Sequence, residues 1–137
     1  MNTGGAFTHS GITVKCVNAI HTSSFADSTY GGNPMGFVVT SSEGEFYFAG
    51  DTALTYDMKL IGEAHTLKFA MLPCGDNFTM GTADAIKAAD FIKCNTIIGM
   101  HYNTFDLIKI NTAEAAEQFE KAGKKIHFIK IGESHTI

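Results

Sequence analysis

The sequence predicts an α/β chain, a mixed sheet covered by helices, on three observations. Strand-like apolar runs come first, helix-like and strand-like runs then alternate, and three of the strands end in a side chain able to bind a metal. The expected order is β-β-β-α-β-α-β-α-β over 137 residues, enough for one domain with a real core.

The opening Asn2-Thr3-Gly4-Gly5 reads as a turn, and Ser10-Gly11 as a second turn before the first strand, Ile12 to Ile20. His21 follows, then a polar, glycine-rich loop from Thr22 to Pro34, whose length fits a functional loop and an ordinary surface connection equally. Met35 to Thr40 and Glu45 to Ala49 form strands of a hairpin closed by Ser41-Ser42-Glu43-Gly44. The second runs straight into Gly50-Asp51-Thr52, so a buried strand delivers a carboxylate at its C-terminal end, where open α/β sheets bind ligands. Tyr56 to Glu63 reads as a short helix packing Met58, Leu60 and Ile61, and Lys68 to Pro73 as a strand stopped by proline.

A second loop, Cys74 to Gly81, leads to a helix capped by Thr82 whose Ala85, Ala88, Ala89 and Ile92 recur at i, i+3, i+4, i+7. The strand Thr96 to Met100 delivers His101. The loop Tyr102 to Asn111 precedes a helix capped by Thr112, which buries Ala115, Phe119 and Ala122 and stops at Gly123. A strand from Ile126 to Ile131 closes the pattern.

Composition narrows the function. All ten basic residues are lysines and they are scattered, so no stripe or arginine fork awaits a nucleic acid. The net charge of -4 is mild and favours solubility. Cys16, Cys74 and Cys94 form no CxxC pair, and their odd number argues against a disulfide framework, so they read as free thiols. No stretch resembles a membrane span or a signal peptide, and the expected location is the cytoplasm.

His21, Asp51 and His101 each leave an apolar strand, and two imidazoles with a carboxylate suit a divalent metal that keeps a position open for water. Their wide separation leaves plainer readings open: hydrogen-bonded structural histidines, a cap or turn aspartate after Gly50, and a cap at Thr52. Asp76 within Gly75-Asp76-Asn77 is likewise a natural turn residue.

Four stretches occur in order: Ala19-Ile20-His21-Thr22-Ser23-Ser24, Tyr47-Phe48-Ala49-Gly50-Asp51-Thr52, Leu72-Pro73-Cys74-Gly75-Asp76-Asn77-Phe78-Thr79-Met80-Gly81 and Met100-His101-Tyr102-Asn103-Thr104-Phe105. Together they resemble a bacterial and archaeal family of metal-dependent hydrolases in the metallo-β-lactamase superfamily, akin to its ascorbate-6-phosphate lactonase and N-acylphosphatidylethanolamine phospholipase D branches. The resemblance implies an αββα sandwich and hydrolysis of an ester, lactone, phosphodiester or similar bond of a small molecule by metal-bound hydroxide. It implies zinc, with manganese or iron as alternatives. It places His21 on the first metal, Asp51 between two metals and His101 on the second, with Thr52 beside the carboxylate and Asp76 and Tyr102 rimming the pocket.

The chain departs from that family in having no His-x-His, the core of the leading His-x-His-x-Asp-His motif. The resemblance therefore implies that residues 1–137 form a partial domain, the C-terminal half of the sandwich. The expectations that follow are an apolar sheet face in need of cover and either a homo-oligomer or a complementing N-terminal fragment. The alternative reading is a half-domain that binds metal weakly and turns nothing over.

Overall fold

A computed structural model describes residues 1–137. Seven strands form one sheet in sequence order: β1 (Ala6–His9), β2 (Ile12–Asn18), β3 (Met35–Ser41), β4 (Gly44–Phe48), β5 (Leu67–Pro73), β6 (Thr96–Met100) and β7 (Lys125–His127). The first four are joined by turns and loops and run antiparallel. From β4 onward the strands are parallel, joined through α1 (Met58–Ala64), α2 (Thr82–Phe91) and α3 (Thr112–Lys121).

This order explains the layering. Parallel strands joined by a helix cross over with one hand. Three successive crossovers stepping the same way along the sheet therefore set all three helices on one face. Under them lie Val38, Tyr47, Ala70, Leu72 and Ile97, each 1% exposed or less, packed with Met58, Ile61, Ala85, Ala88, Ile92 and Phe119 of the helical layer. Gly62 lets α1 and α2 touch, since a β-carbon there would stand 2.3 Å from the Phe91 carbonyl oxygen.

The opposite face has no layer. The strand registers align Val39 with Phe46, Phe37 with Phe48, Phe46 with Phe69, and Phe48 with Met71 and then Ile98. These side chains are as apolar as those under the helices, yet only half-buried. Phe46 and Phe69 cover each other, their rings stacked 4.9 Å apart and 5° from parallel. The chain is thus two layers, a sheet and its helices, rather than the four of a complete sandwich.

Several boundaries differ from expectation for local reasons. Ala6–His9 pairs with β2 as an added edge strand where only turns were expected; all four residues are exposed, so no burial pattern marks it. Gly81 rather than Thr82 occupies the cap position of α2, and Thr82 is already helical. Asn111 rather than Thr112 caps α3, its Oδ1 accepting the amides of Ala113 (3.1 Å) and Glu114 (3.3 Å). Leu60 points outward at 64% exposure, and Ala122 is an exposed C-cap. Gly123 does end α3 in the left-handed region, at φ 70°. The last strand stops at His127, well before Ile131.

Candidate metal centre

Three loops meet at the C-terminal lip of the parallel strands, and each is placed by backbone chemistry. After β4 the amide of Ala49 donates to the Met71 carbonyl (3.0 Å), and Gly50 turns the chain at φ 66°. A β-carbon at Gly50 would lie 2.7 Å from the Met35 carbonyl oxygen, so the turn that frees Asp51 requires glycine. Asp51 emerges exposed.

β6 leads straight into His101, whose φ of 54° is left-handed, a conformation that costs a side-chain-bearing residue about 1–2 kcal/mol. Gly75 of the neighbouring loop packs against it so closely that a β-carbon there would stand 2.1 Å from the His101 carbonyl oxygen. The Cys74 amide donates to the Met100 carbonyl (3.1 Å), fastening the same corner. Held this way, His101 places Nε2 3.7 Å from Oδ2 of Asp51. That is too long for a hydrogen bond. Its other nitrogen, Nδ1, is buried without a partner, as is Thr79 Oγ1 in the adjoining loop.

His21 leaves β2 on the third loop. Its Nδ1 lies 2.8 Å from the Thr22 carbonyl, which can only accept, so the ring proton sits on Nδ1 and Nε2 keeps a free lone pair. The anchor is Thr52. Its hydroxyl accepts the Ile20 amide (2.9 Å) and donates to the Ala53 carbonyl (2.8 Å), while its own carbonyl accepts the Met80 amide (3.2 Å). One fully buried residue thus ties the His21 loop and the 76–80 loop to the strand exit that carries Asp51.

Between the loops opens a cleft of about 600 Å³ lined by Ile20, His21, Thr22, Asn77, Phe78 and His101. A second hollow of about 510 Å³, between β2 and α1, is lined by neither His21 nor His101.

The structure therefore brings His101 and Asp51 together and sets His21 on the same cleft. It moves the other candidates. Thr52, expected beside the Asp51 carboxylate, follows it in the chain and is wholly buried as an anchor. Asp76, expected on the rim, turns its carboxylate onto its own loop, Oδ1 accepting the Asn77 amide at 2.7 Å. Tyr102, also expected on the rim, does not line the cleft; it packs edge-on against Phe128 with ring centroids 4.9 Å apart. Burial, with the Cys74 thiol second, raises the Tyr102 hydroxyl above its ordinary pKa. Cys74 itself is pushed up to about 12 by burial, so it is an inert thiol. Ile20, Thr22, Asn77 and Phe78 are the lining residues the sequence reading missed; Ile20 and Thr22 flank His21, and the Asp76-Asn77 pair, both left-handed, is the turn signal that could have found the other two.

These donors fit a divalent cation in part. Two ligands held about 2.0–2.2 Å from one ion stand roughly 3.3–3.6 Å apart in a tetrahedron, close to the His101–Asp51 separation. No three histidine, cysteine, aspartate or glutamate side chains gather closely enough to enclose an ion.

Residues 1–102 match the family model for the beta-lactamase superfamily domain. The chain is similar to proteins described as UPF0173 metal-dependent hydrolases. The relative from Christiangramia forsetii is 54% identical over 134 residues, covering 98% of this chain and 59% of the relative. That from Thermus thermophilus is 46% identical over 133 residues, covering 97% and 59%. Among solved structures, Igni18, a metallo hydrolase from the archaeon Ignicoccus hospitalis, superposes with a TM-score of 0.84 at 32% identity over 97% of this chain and 57% of that one. The chain spans about three-fifths of the length of the curated relatives it matches. With the model matched over most of its residues and the fold shared with a metallo hydrolase, the chain belongs to the beta-lactamase superfamily domain family.

Proposed function

We propose that residues 1–137 carry one side of a metal-dependent hydrolase centre acting on a small molecule, with His21, Asp51 and His101 as ligands and zinc, or else manganese or iron, as the ion. The 3.7 Å pair of His101 and Asp51, on a cleft shared with His21, carries this reading. A divalent ion bound there would supply Lewis acidity and lower the pKa of a bound water. Thr22 fixes the His21 tautomer with Nε2 free to ligate. Gly75 and Cys74 keep His101 from swinging away. Asn77, on the cleft wall, is placed to hydrogen-bond a carbonyl or leaving group of an ester, lactone or similar substrate.

The remaining donors would come from outside this chain. Two observations support that: no three ligands gather within it, and one sheet face lacks a cover. In this reading the chain is a partial domain of the sandwich, completed by an N-terminal fragment or by a second copy. The same observations support the runner-up, a weak metal binder that self-associates without turnover. No helix is long and apolar enough to cross a membrane, and free buried cysteines support a cytoplasmic setting.

Equilibrium dialysis against zinc and manganese tests the assignment. His101→Ala should abolish metal uptake at unchanged melting temperature, and metal content equal to that of the parent chain would refute it. Ester or phosphodiester turnover that EDTA removes would defeat the runner-up.

A further inference from the structure

Three buried side-chain polar atoms lack a partner: the Tyr47 hydroxyl, the Thr79 hydroxyl and Nδ1 of His101. Tyr47 lies in the sealed core under the helices. The other two belong to adjoining walls of the cleft. Buried polar groups are almost always paired, so two orphans at one corner call for a common explanation.

His101 is fixed by its backbone and not by its ring. The Cys74 amide holds the Met100 carbonyl and Gly75 packs on the carbonyl of His101 itself, while no acceptor meets Nδ1. Nε2 faces Asp51 at 3.7 Å, so it is the nitrogen open to an ion. A ligating imidazole is neutral, and with Nε2 on a metal its proton must sit on Nδ1. That N–H then needs an acceptor, since a ligating histidine almost always donates its second nitrogen to an oxygen.

The loop from Cys74 to Gly81 offers one. The Cys74 thiol donates to the Met100 carbonyl (3.7 Å), Asp76 Oδ1 accepts the Asn77 amide, and Asn77 is exposed. Among the polar side chains of this loop, Thr79 alone has a buried, uncommitted oxygen. Its place is set from both sides. Phe78 before it lines the cleft with His101, and the Met80 amide after it donates to the carbonyl of Thr52, one residue past Asp51. A threonine hydroxyl can accept from an imidazole N–H.

We propose that Thr79 is the positioning residue of His101. A small turn of hydroxyl or ring lets Oγ1 accept the hydrogen bond from Nδ1–H, which keeps Nε2 unprotonated and aimed at the ion. The ion rests on the function proposed above; the pairing of Thr79 with His101 is testable without it.

Nitrogen NMR of the His101 ring in the metal-free chain, at about pH 8 where histidine is ordinarily neutral, reads which nitrogen carries the proton. It should be Nδ1 in the parent chain. Thr79→Val, which keeps the shape of the side chain, should move the proton toward Nε2, and Thr79→Ser should leave it on Nδ1. In equilibrium dialysis Thr79→Val should weaken zinc binding about tenfold or more, with Thr79→Ser close to the parent. An unchanged tautomer in Thr79→Val, or Thr79→Ser behaving like Thr79→Val, would overturn the proposal. So would Thr79→Val binding zinc as tightly as the parent while His101→Ala abolishes uptake. A tautomer that follows Thr79 in a chain taking up no metal would sink the metal assignment and leave the pair standing.

Discussion

The two faces of the sheet carry side chains of the same kind and meet different fates. Tyr47, Ala70, Leu72 and Ile97 lie under helices and are sealed from solvent. Phe37, Val39, Phe46, Phe48, Phe69 and Met71, one residue out of phase, are only half-buried. A sheet built to face water on one side alternates apolar with polar residues; strands apolar in both phases belong to a sheet covered twice. In this chain the helices cover one phase and leave the other half-open to solvent.

Substitutions can break or sharpen that contrast. Leu72→Ala, under the helices, should cost the most, about 2–5 kcal/mol in urea denaturation, because the sealed site cannot collapse onto the missing atoms. Thr52→Val, at the lip where both faces end, should cost about 1–2 kcal/mol, since it takes the acceptor from the part-buried Ile20 amide and the donor from the Ala53 carbonyl. Histidine NMR should show the His21 resonance moving with it, whereas Thr52→Ser should keep both stability and resonance.

Glu45→Gln probes the polar edge of the covered face. The Glu45 carboxylate accepts from Thr40 Oγ1 (2.7 Å) and the Thr66 amide (3.0 Å) and meets His65 Nδ1 at 3.1 Å. Burial pushes its pKa up, but these partners outweigh burial and hold it below the ordinary glutamate value of 4.5. Its contribution is therefore complete above that value and lost as pH falls through the lower folded one. The variant should be about 1–2 kcal/mol less stable at pH 7, and thermal melts should show the gap closing in acid. Phe69→Ala, on the bare face, should change stability least, by about 1 kcal/mol, mostly the lost stack on Phe46. A cost equal to that of Leu72→Ala would show the two faces to be equivalent. Sedimentation should detect weaker self-association if a second copy covers this face.

Much of this was legible in the sequence, for physical reasons that also mark where legibility ended. Strands ending at Asp51 and His101 announced themselves because apolar runs stop abruptly at residues that cannot be buried unpaired. The edge strand Ala6–His9 gave no sign, since an exposed strand leaves no period to read. Asn111 and Thr112 both cap helices well, and composition alone does not choose between neighbours. Thr52 looked like a site residue because it adjoins Asp51; only the hydrogen bonds from its two ends reveal an anchor. Phe78 is a lone aromatic in a polar turn, so its placement at the cleft emerges only once the chain is folded.

The contact between Gly75 and the His101 carbonyl narrows how this lip can change over time. Any larger residue at 75 would have to shove aside the strand end that aims the imidazole, so single steps there lead to loss rather than to a new specificity. Variation is channelled outward instead, to positions 78 and 105, where side chains stand in solvent and the backbone is not left-handed. A lineage exploring new substrates on this scaffold would record its history at those two positions while 75 and 101 stood still.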